Sequence, residues 1–208
     1  MSTIRTLAAC GLILALGSAH AAWDGHAGDV LAGPGDDLAL TTAWLGLGDP
    51  DAPLNLSGHA AVDVALVEAG AGVDAYALDL GDEAATEGSV AWRTLAVGAG
   101  DVLAFDWAFA TEETDFADHA FAALDGTVFT LTTAAGASAG HFEVTFDTAS
   151  TLRFAVGVVD TVDVLGVSTL QLSALSLTPA VPEPGTAALW LAGGAALWAR
   201  RRRDQAAR

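Results

Sequence analysis

Residues 102–109, Val102-Leu103-Ala104-Phe105-Asp106-Trp107-Ala108-Phe109, alternate large apolar side chains with smaller or polar ones at a strict period of two. Successive side chains of a strand point to opposite faces, so Leu103, Phe105, Trp107 and Phe109 share one face and Val102, Ala104, Asp106 and Ala108 the other. That is the pattern of an antiparallel strand with one buried face.

Working outward, the same alternation recurs in short segments separated by glycine and aspartate. Towards the N-terminus, Val62, Val64 and Leu66 share a face, as do Tyr76, Leu78 and Leu80, and residues 89–97 form a third candidate after a polar turn at 81–88. Towards the C-terminus come Phe129 and Leu131, then Phe142, Val144 and Phe146, then Leu152, Phe154, Val156 and Val158, with turns at Gly126, 136–140 and 147–150. In the last segment Leu170 and Leu172 keep one phase and Leu175 and Leu177 the opposite one, which predicts a β-bulge near Ala174. Residues 23–56 read as loops around one or two strands, with an apolar run at 38–47. With no amphipathic helix and no internal repeat in view, the expected fold is all-β, an antiparallel two-sheet sandwich of jelly-roll type. Abundant alanine disfavours strands, but the glycine-punctuated alternation outweighs it.

The two ends have a different character. Arg5, an apolar stretch at 7–17 and Ala19-His20-Ala21 have the charged, greasy and small-x-small parts of a secretory signal peptide over residues 1–21. Leu7-Ala8-Ala9-Cys10 also fits a lipoprotein box, the weaker reading because so little apolar sequence precedes it. Cleavage after Ala21 removes the single cysteine, so residues 22–180 form one disulfide-free domain stabilised by core burial. That segment holds 24 acidic residues against Arg93 and Arg153, a formal charge of −22, and the chain has no lysine. Such a surface repels nucleic acid and anionic lipid and favours divalent cations or neutral glycans.

Beyond residue 180, Val181-Pro182-Glu183-Pro184 is a stiff, extended hinge. Residues 186–199 are apolar or small, with Trp190 and Trp198 near the two ends, and Arg200, Arg201, Arg202 and Arg203 follow. As a helix the run covers roughly 21 Å, short of the roughly 30 Å hydrocarbon core. Indole rings favour the membrane interface, and clustered arginines hold a chain end on the cytoplasmic side. The expected division is a motif at 181–185, a short transmembrane helix at 186–199, a basic stop at 200–203 and a cytoplasmic tail at 204–208.

This order of parts resembles the PEP-CTERM sorting signal of Gram-negative bacteria. The resemblance implies recognition by a membrane-embedded exosortase, with cutting near Pro-Glu-Pro, after signal peptidase has acted at the other end. The chain would then pass from an inner-membrane precursor to the cell surface or extracellular space. Ala85-Thr86-Glu87-Gly88-Ser89, residues 99–107, Thr111-Glu112-Glu113 and Asp118-His119-Ala120-Phe121 resemble the domain often fused to this signal. Its wording is a TxGS turn, a GDxLxFDW strand, a T(D/N)E turn and an NDFAF strand. Here His119 replaces the aromatic and Ala117 the asparagine, so the acidic loop departs from the family pattern. The resemblance implies a β-sandwich surface protein, associated with biofilm or exopolysaccharide, and assigns no catalytic activity.

Candidate chemistry in the domain is sparse. Glu112, Glu113, Asp115 and Asp118 crowd one loop, with Asp106 and Asp125 on the flanking strands; such a cluster raises its own pKa values or recruits a cation. Calcium, which takes 6 to 8 oxygen ligands, is the candidate cofactor, although EF-hand spacing is absent; the alternative is a solvated acidic loop. Gly136-Ala137-Ser138-Ala139-Gly140 matches G-x-S-x-G, but a strand follows the serine where a nucleophile elbow needs a helix, and a flexible hairpin is the better account. His26, His59, His119 and His141 lack zinc-ligand spacing. Asn55-Leu56-Ser57 is a chance sequon in a bacterial exported chain. Trp44 and Trp92 are the expected exposed platforms for sugar rings, whereas Trp107 alternates with core residues. The functional expectation is a non-enzymatic surface or matrix protein; the alternative is a glycan-binding module, with or without calcium.

Overall fold

A computed structural model describes residues 23–46, 51–113, 116–181 and 184–206. The signal-peptide segment 1–21 with Cys10, and Asp115, Pro182 and Glu183, lie outside the described residues. In chain order the elements are β1 (Gly25–Ala27), β2 (Asp29–Ala32), β3 (Leu38–Thr41), β4 (Val62–Asp63), α1 (Val64–Ala71), β5 (Ala85–Val97) and β6 (Val102–Thr111). There follow β7 (His119–Leu124), β8 (Thr127–Thr132), β9 (Ala137–Thr145), β10 (Ser150–Thr161), β11 (Ser168–Thr178) and α2 (Pro184–Ala206).

The strands form two antiparallel sheets. Sheet A runs β1-β5-β10-β7-β8, with β4 on β5; sheet B runs β2-β3-β11-β6-β9. From β5 onward the chain passes repeatedly from one sheet to the other, and the all-β sandwich expected from the alternation is present. Its main core lies between the sheets, where Phe154, Val156, Val158 and Leu124 of sheet A meet Leu40, Leu103, Phe105, Phe109, Leu170 and Leu172 of sheet B.

The bulge expected near Ala174 is there. Between Ser173 and Ser176 the β11–β6 register shifts, and Ala174 takes a left-handed φ of 54°. One extra residue in the strand moves Leu175 and Leu177 back to the core side, where both pack partly buried. The Asp125-Gly126 pair turns β7 into β8 with φ of 48° and 86°, as a two-residue hairpin of type I′ requires.

Two strand expectations are corrected. Only Val62 and Asp63 pair as strand; Val64 and Leu66 belong to α1. The Asp63 side chain caps the helix by accepting from Ala65 N at 2.8 Å, and Gly72 ends it at φ 73°. Between those caps the alanine-rich run has the helix period, burying Val67 and Ala71 at i and i+4. They cover the outer face of sheet A in a second core with Val90, Phe121, Ala155 and Val159. Tyr76 and Leu78 lie in a turn and Leu80 makes only an isolated bridge with Glu83, so no strand forms; Tyr76 is left-handed and 80% exposed while Leu78 seals the second core.

The 136–140 hairpin is also corrected. Gly136 makes the turn at φ 79°, and β9 already begins at Ala137. Gly140 sits opposite Trp107 across the β6–β9 pair, where a Cβ would lie 2.6 Å from the indole. Gly25 stands in the same relation to Trp92 across β1–β5. In both pairs the ring covers the strand position that the glycine leaves bare. Gly140→Val is expected to lower stability by about 1–3 kcal/mol through overpacking, with a shift in tryptophan emission as Trp107 moves. Ser138→Ala, which removes one hydroxyl bond to Thr132 Oγ1 at 3.0 Å, should change stability far less. Thermal unfolding of the two variants checks the contrast.

α2 begins at Pro184, so the 186–199 run is helical. No helix among the described residues is long and apolar enough to cross a membrane.

Candidate functional site

The inward phase of five strands ends in polar residues at the same end of the sandwich. In sheet A, Phe154, Val156 and Val158 are followed by Asp160, and Leu124, Ala122 and Ala120 lead back to Asp118. In sheet B the corresponding row is Thr42, Ser168 and Thr111. Ser168 pairs with Thr111, and Thr42 N donates to Ser168 O at 3.0 Å. The apolar core is thus closed at one end by a polar layer reached from both sheets.

Asp118 and Asp160 face each other within that layer. His119 pairs with Val159, so one step further along the same register sets the two aspartates opposite across β7 and β10. Side chains so placed have Cβ atoms about 5 Å apart, and like charges there destabilise the sheet. Both are buried, Asp118 at 3% and Asp160 at 1% exposure. Asp118 is well supplied with donors: Thr161 N at 3.0 Å on Oδ1, Ser168 Oγ at 2.7 Å and Thr111 Oγ1 at 3.5 Å on Oδ2. No hydrogen bond of ordinary geometry reaches either carboxyl oxygen of Asp160, whose polar neighbours are the Thr42 hydroxyl and the Asp118 carboxyl.

The electrostatics follow from this imbalance. Burial pushes the Asp160 carboxyl up to about 10, the Asp118 charge adds to the rise, and the nearby Thr42 hydroxyl opposes it. Burial also raises Asp118, against the bonds from Ser168 and Thr161. Glu113 acts on Asp118 and Glu87 on Asp160, both increasing the repulsion. Of the two arginines in the sandwich, Arg93 pairs with Asp36 at 3.0 Å and Arg153 lies over Trp92 at 4.9 Å. At this site the arrangement can hold a shared proton or a cation.

The other expected residues are dispersed. Asp118 and Asp125 stand at opposite ends of β7, roughly 20 Å apart for an extended strand of that length. Asp106 lies on the exposed face of β6, bonded to His141 Nδ1 at 2.7 Å. Glu112 is exposed, while Glu113 is half-buried with its backbone N donating to Thr111 Oγ1 at 2.9 Å. Of the expected acidic residues that are described, Asp106 and Asp125 therefore lie apart from Asp118, and among the described residues no three His, Cys, Asp or Glu side chains gather as a metal-binding group. Asp160 was not among the residues expected from the sequence because it lies outside the acidic loop. The signal for it was an acid in the inward phase of an apolar run.

Of the expected sugar platforms, Trp44 is 46% exposed. Trp92 is half-buried, with Gly25 and Gly70 against its ring and the Arg153 guanidinium over it. Trp107, half-buried, packs against the main core. Asn55 of the sequon is occupied structurally: its amide donates to His59 O at 2.6 Å and Ala43 O at 3.3 Å. The same loop is pinned by buried Asp29, which accepts from Leu56 N at 2.9 Å, Ser57 N at 2.7 Å and the Thr41 hydroxyl.

At the C-terminus, Val181 is 84% exposed and the described apolar side chains of α2, Leu189, Trp190, Leu191, Leu197 and Trp198, are 59–80% exposed. The Arg202 guanidinium lies 4.1 Å from the Trp198 ring centroid; Arg200, Arg201 and Arg203 are exposed.

No family model matches the chain, and no curated protein matches it in sequence. Among solved structures it is similar to the secreted serine protease VesC from Vibrio cholerae, at 13% identity and a TM-score of 0.28. That match takes in 59% of this chain and 29% of the other, so the chain spans less than a third of that protein's length.

Proposed function

We propose that the chain is an exported, non-enzymatic surface or matrix protein whose C-terminal segment hands it to an exosortase. The observation that carries this reading is the contrast at residue 181. The sandwich closes with β11 at Thr178; beyond it stand Val181-Pro182-Glu183-Pro184 and a helix with exposed leucines and tryptophans before four arginines. Exposed apolar side chains in a row are a liability on a freely soluble domain and mark a surface for another phase or partner. By length the 186–199 run is a marginal span, which fits a segment that is recognised and removed.

The folded part suits such a destination. Its winding is of jelly-roll type, it needs no disulfide, and its −22 charge keeps it soluble among neutral polysaccharides. The alternative reading, glycan binding, draws on exposed Trp44 alone, since Trp92 is engaged within the fold.

Mass spectrometry of the chain recovered from an exosortase-bearing Gram-negative host tests the reading. A mature C-terminus near Pro184 is expected, and Pro182→Ala with Pro184→Ala should abolish that product and retain full-length chain in the membrane fraction. An intact Arg208 on the exported wild-type protein overturns the proposal.

A further inference from the structure

Asp160 is the most anomalous group in the molecule. It is 1% exposed, no hydrogen bond of ordinary geometry reaches either of its oxygens, and its polar neighbours are the Thr42 hydroxyl and a second buried carboxyl, Asp118, which stands opposite it across a strand pair. Removing a carboxylate from water without compensation is costly, and two facing each other cost more. The domain's arginines are engaged elsewhere, so among the described residues no arginine is placed to neutralise the pair. The groups around it are oxygen donors: the hydroxyls of Thr42, Ser168 and Thr111, with Glu87 and Glu113 adding negative potential from the periphery.

We propose that Asp118 and Asp160 bind one calcium ion at the polar end of the core, bridging β7 and β10. Two carboxylates balance the charge of one dication. A hard, all-oxygen donor set selects calcium or magnesium over the softer metals. Magnesium dehydrates reluctantly and keeps several waters, which a pair only 1% and 3% exposed leaves little room for, whereas calcium accepts irregular, fully oxygen-donating surroundings. The ion would tie together the ends of β7 and β10 and, through Ser168, sheet B. Unlike the acidic-loop grouping expected from the sequence, this site draws on a strand residue 42 positions beyond Asp118, and it stands independently of how the chain is sorted.

The test is calorimetry and thermal unfolding of the metal-free full chain at pH 7.5, titrated with calcium chloride and, separately, magnesium chloride. One calcium per chain is expected, with Tm rising by roughly 5–10 °C at a hundredfold excess over Kd and a smaller response to magnesium. Asp160→Asn and Asp118→Asn, which keep shape and remove charge, should each lose the stoichiometric binding. Asp106→Asn, on the exposed face, should retain it. No calcium-dependent rise in the wild type, or the same rise in both Asp118→Asn and Asp160→Asn, overturns the proposal. A wild type stabilised by lowering the pH but not by calcium also overturns it, and assigns the pair to a shared proton.

Discussion

Phe154→Ala is expected to lower the unfolding free energy by about 3–5 kcal/mol, the range for truncating a fully buried aromatic residue. For a chain of this size that is a fall in Tm of roughly 6–20 °C. Phe154 is fully buried on the inward face of β10, the strand held between β5 and β7. Its ring lies 5.8 Å from Trp23 and 5.7 Å from Phe105, Phe105 stacks on Phe142 at 4.9 Å, and Phe142 meets Phe129 edge-on at 5.5 Å. That chain of rings crosses from sheet A to sheet B and returns. Removing Phe154 from it opens a cavity bordered by both sheets, which cannot collapse without moving a sheet. Phe129→Ala, at the partly buried margin, should cost clearly less. Chemical denaturation of the two variants checks the order, and equal losses would contradict a core centred on Phe154.

Without metal, stability should fall by about 1.4 kcal/mol per pH unit above about pH 6.5, and change less steeply below it. The sign follows from two buried groups. Asp160 titrates near 10 in the fold and near 3.8 unfolded, so between those values the folded state holds one proton more; this contribution is full below 3.8 and lost as pH rises towards 10. His119, almost fully buried, is lowered by burial from 6.5 to about 4, so between those values the unfolded state holds one proton more, and stability is lost as pH falls through that window. Between about 4 and 6.5 the His119 slope opposes that of Asp160, to which Asp118, raised by the same burial, adds; above 6.5 the acid pair alone sets the fall. Asp24 and Asp101 are lowered, by hydrogen bonds from Thr94 and from Gly98 and Ala180, and act only at the acid extreme. From pH 6.5 to 8.5 the loss is roughly 3 kcal/mol. Urea titrations across this range should show it, and Asp160→Asn should flatten the alkaline limb. The same limb in that variant would remove Asp160 as its cause.

The sheets were legible because each apolar face repeats every second residue, and the slip between Leu172 and Leu175 was enough to place the bulge. α1 was not, because Val62, Val64 and Leu66 satisfy a period of two over three positions while the helix declares itself only through the Asp63 cap, Gly72 and buried Val67 and Ala71. The acidic loop drew attention by local density, yet density in sequence says little about convergence once Asp106 and Asp125 lie on different strands and turns. Asp160 became visible only through register, since its partner is supplied by another strand. Gly140 and Gly25 likewise acquired meaning from Trp107 and Trp92, residues distant in the chain.

The strand order carries one more consequence. The middle positions of the two sheets belong to β10 and β11, the last two strands to be made. Until they arrive, β5 has no bridge to β7 and β3 none to β6, so a chain emerging N-terminus first, from a ribosome or through a narrow conduit, can close neither sheet early. Collapse waits for residue 178, only six residues before α2 starts, which keeps the polypeptide threadable for nearly its whole length.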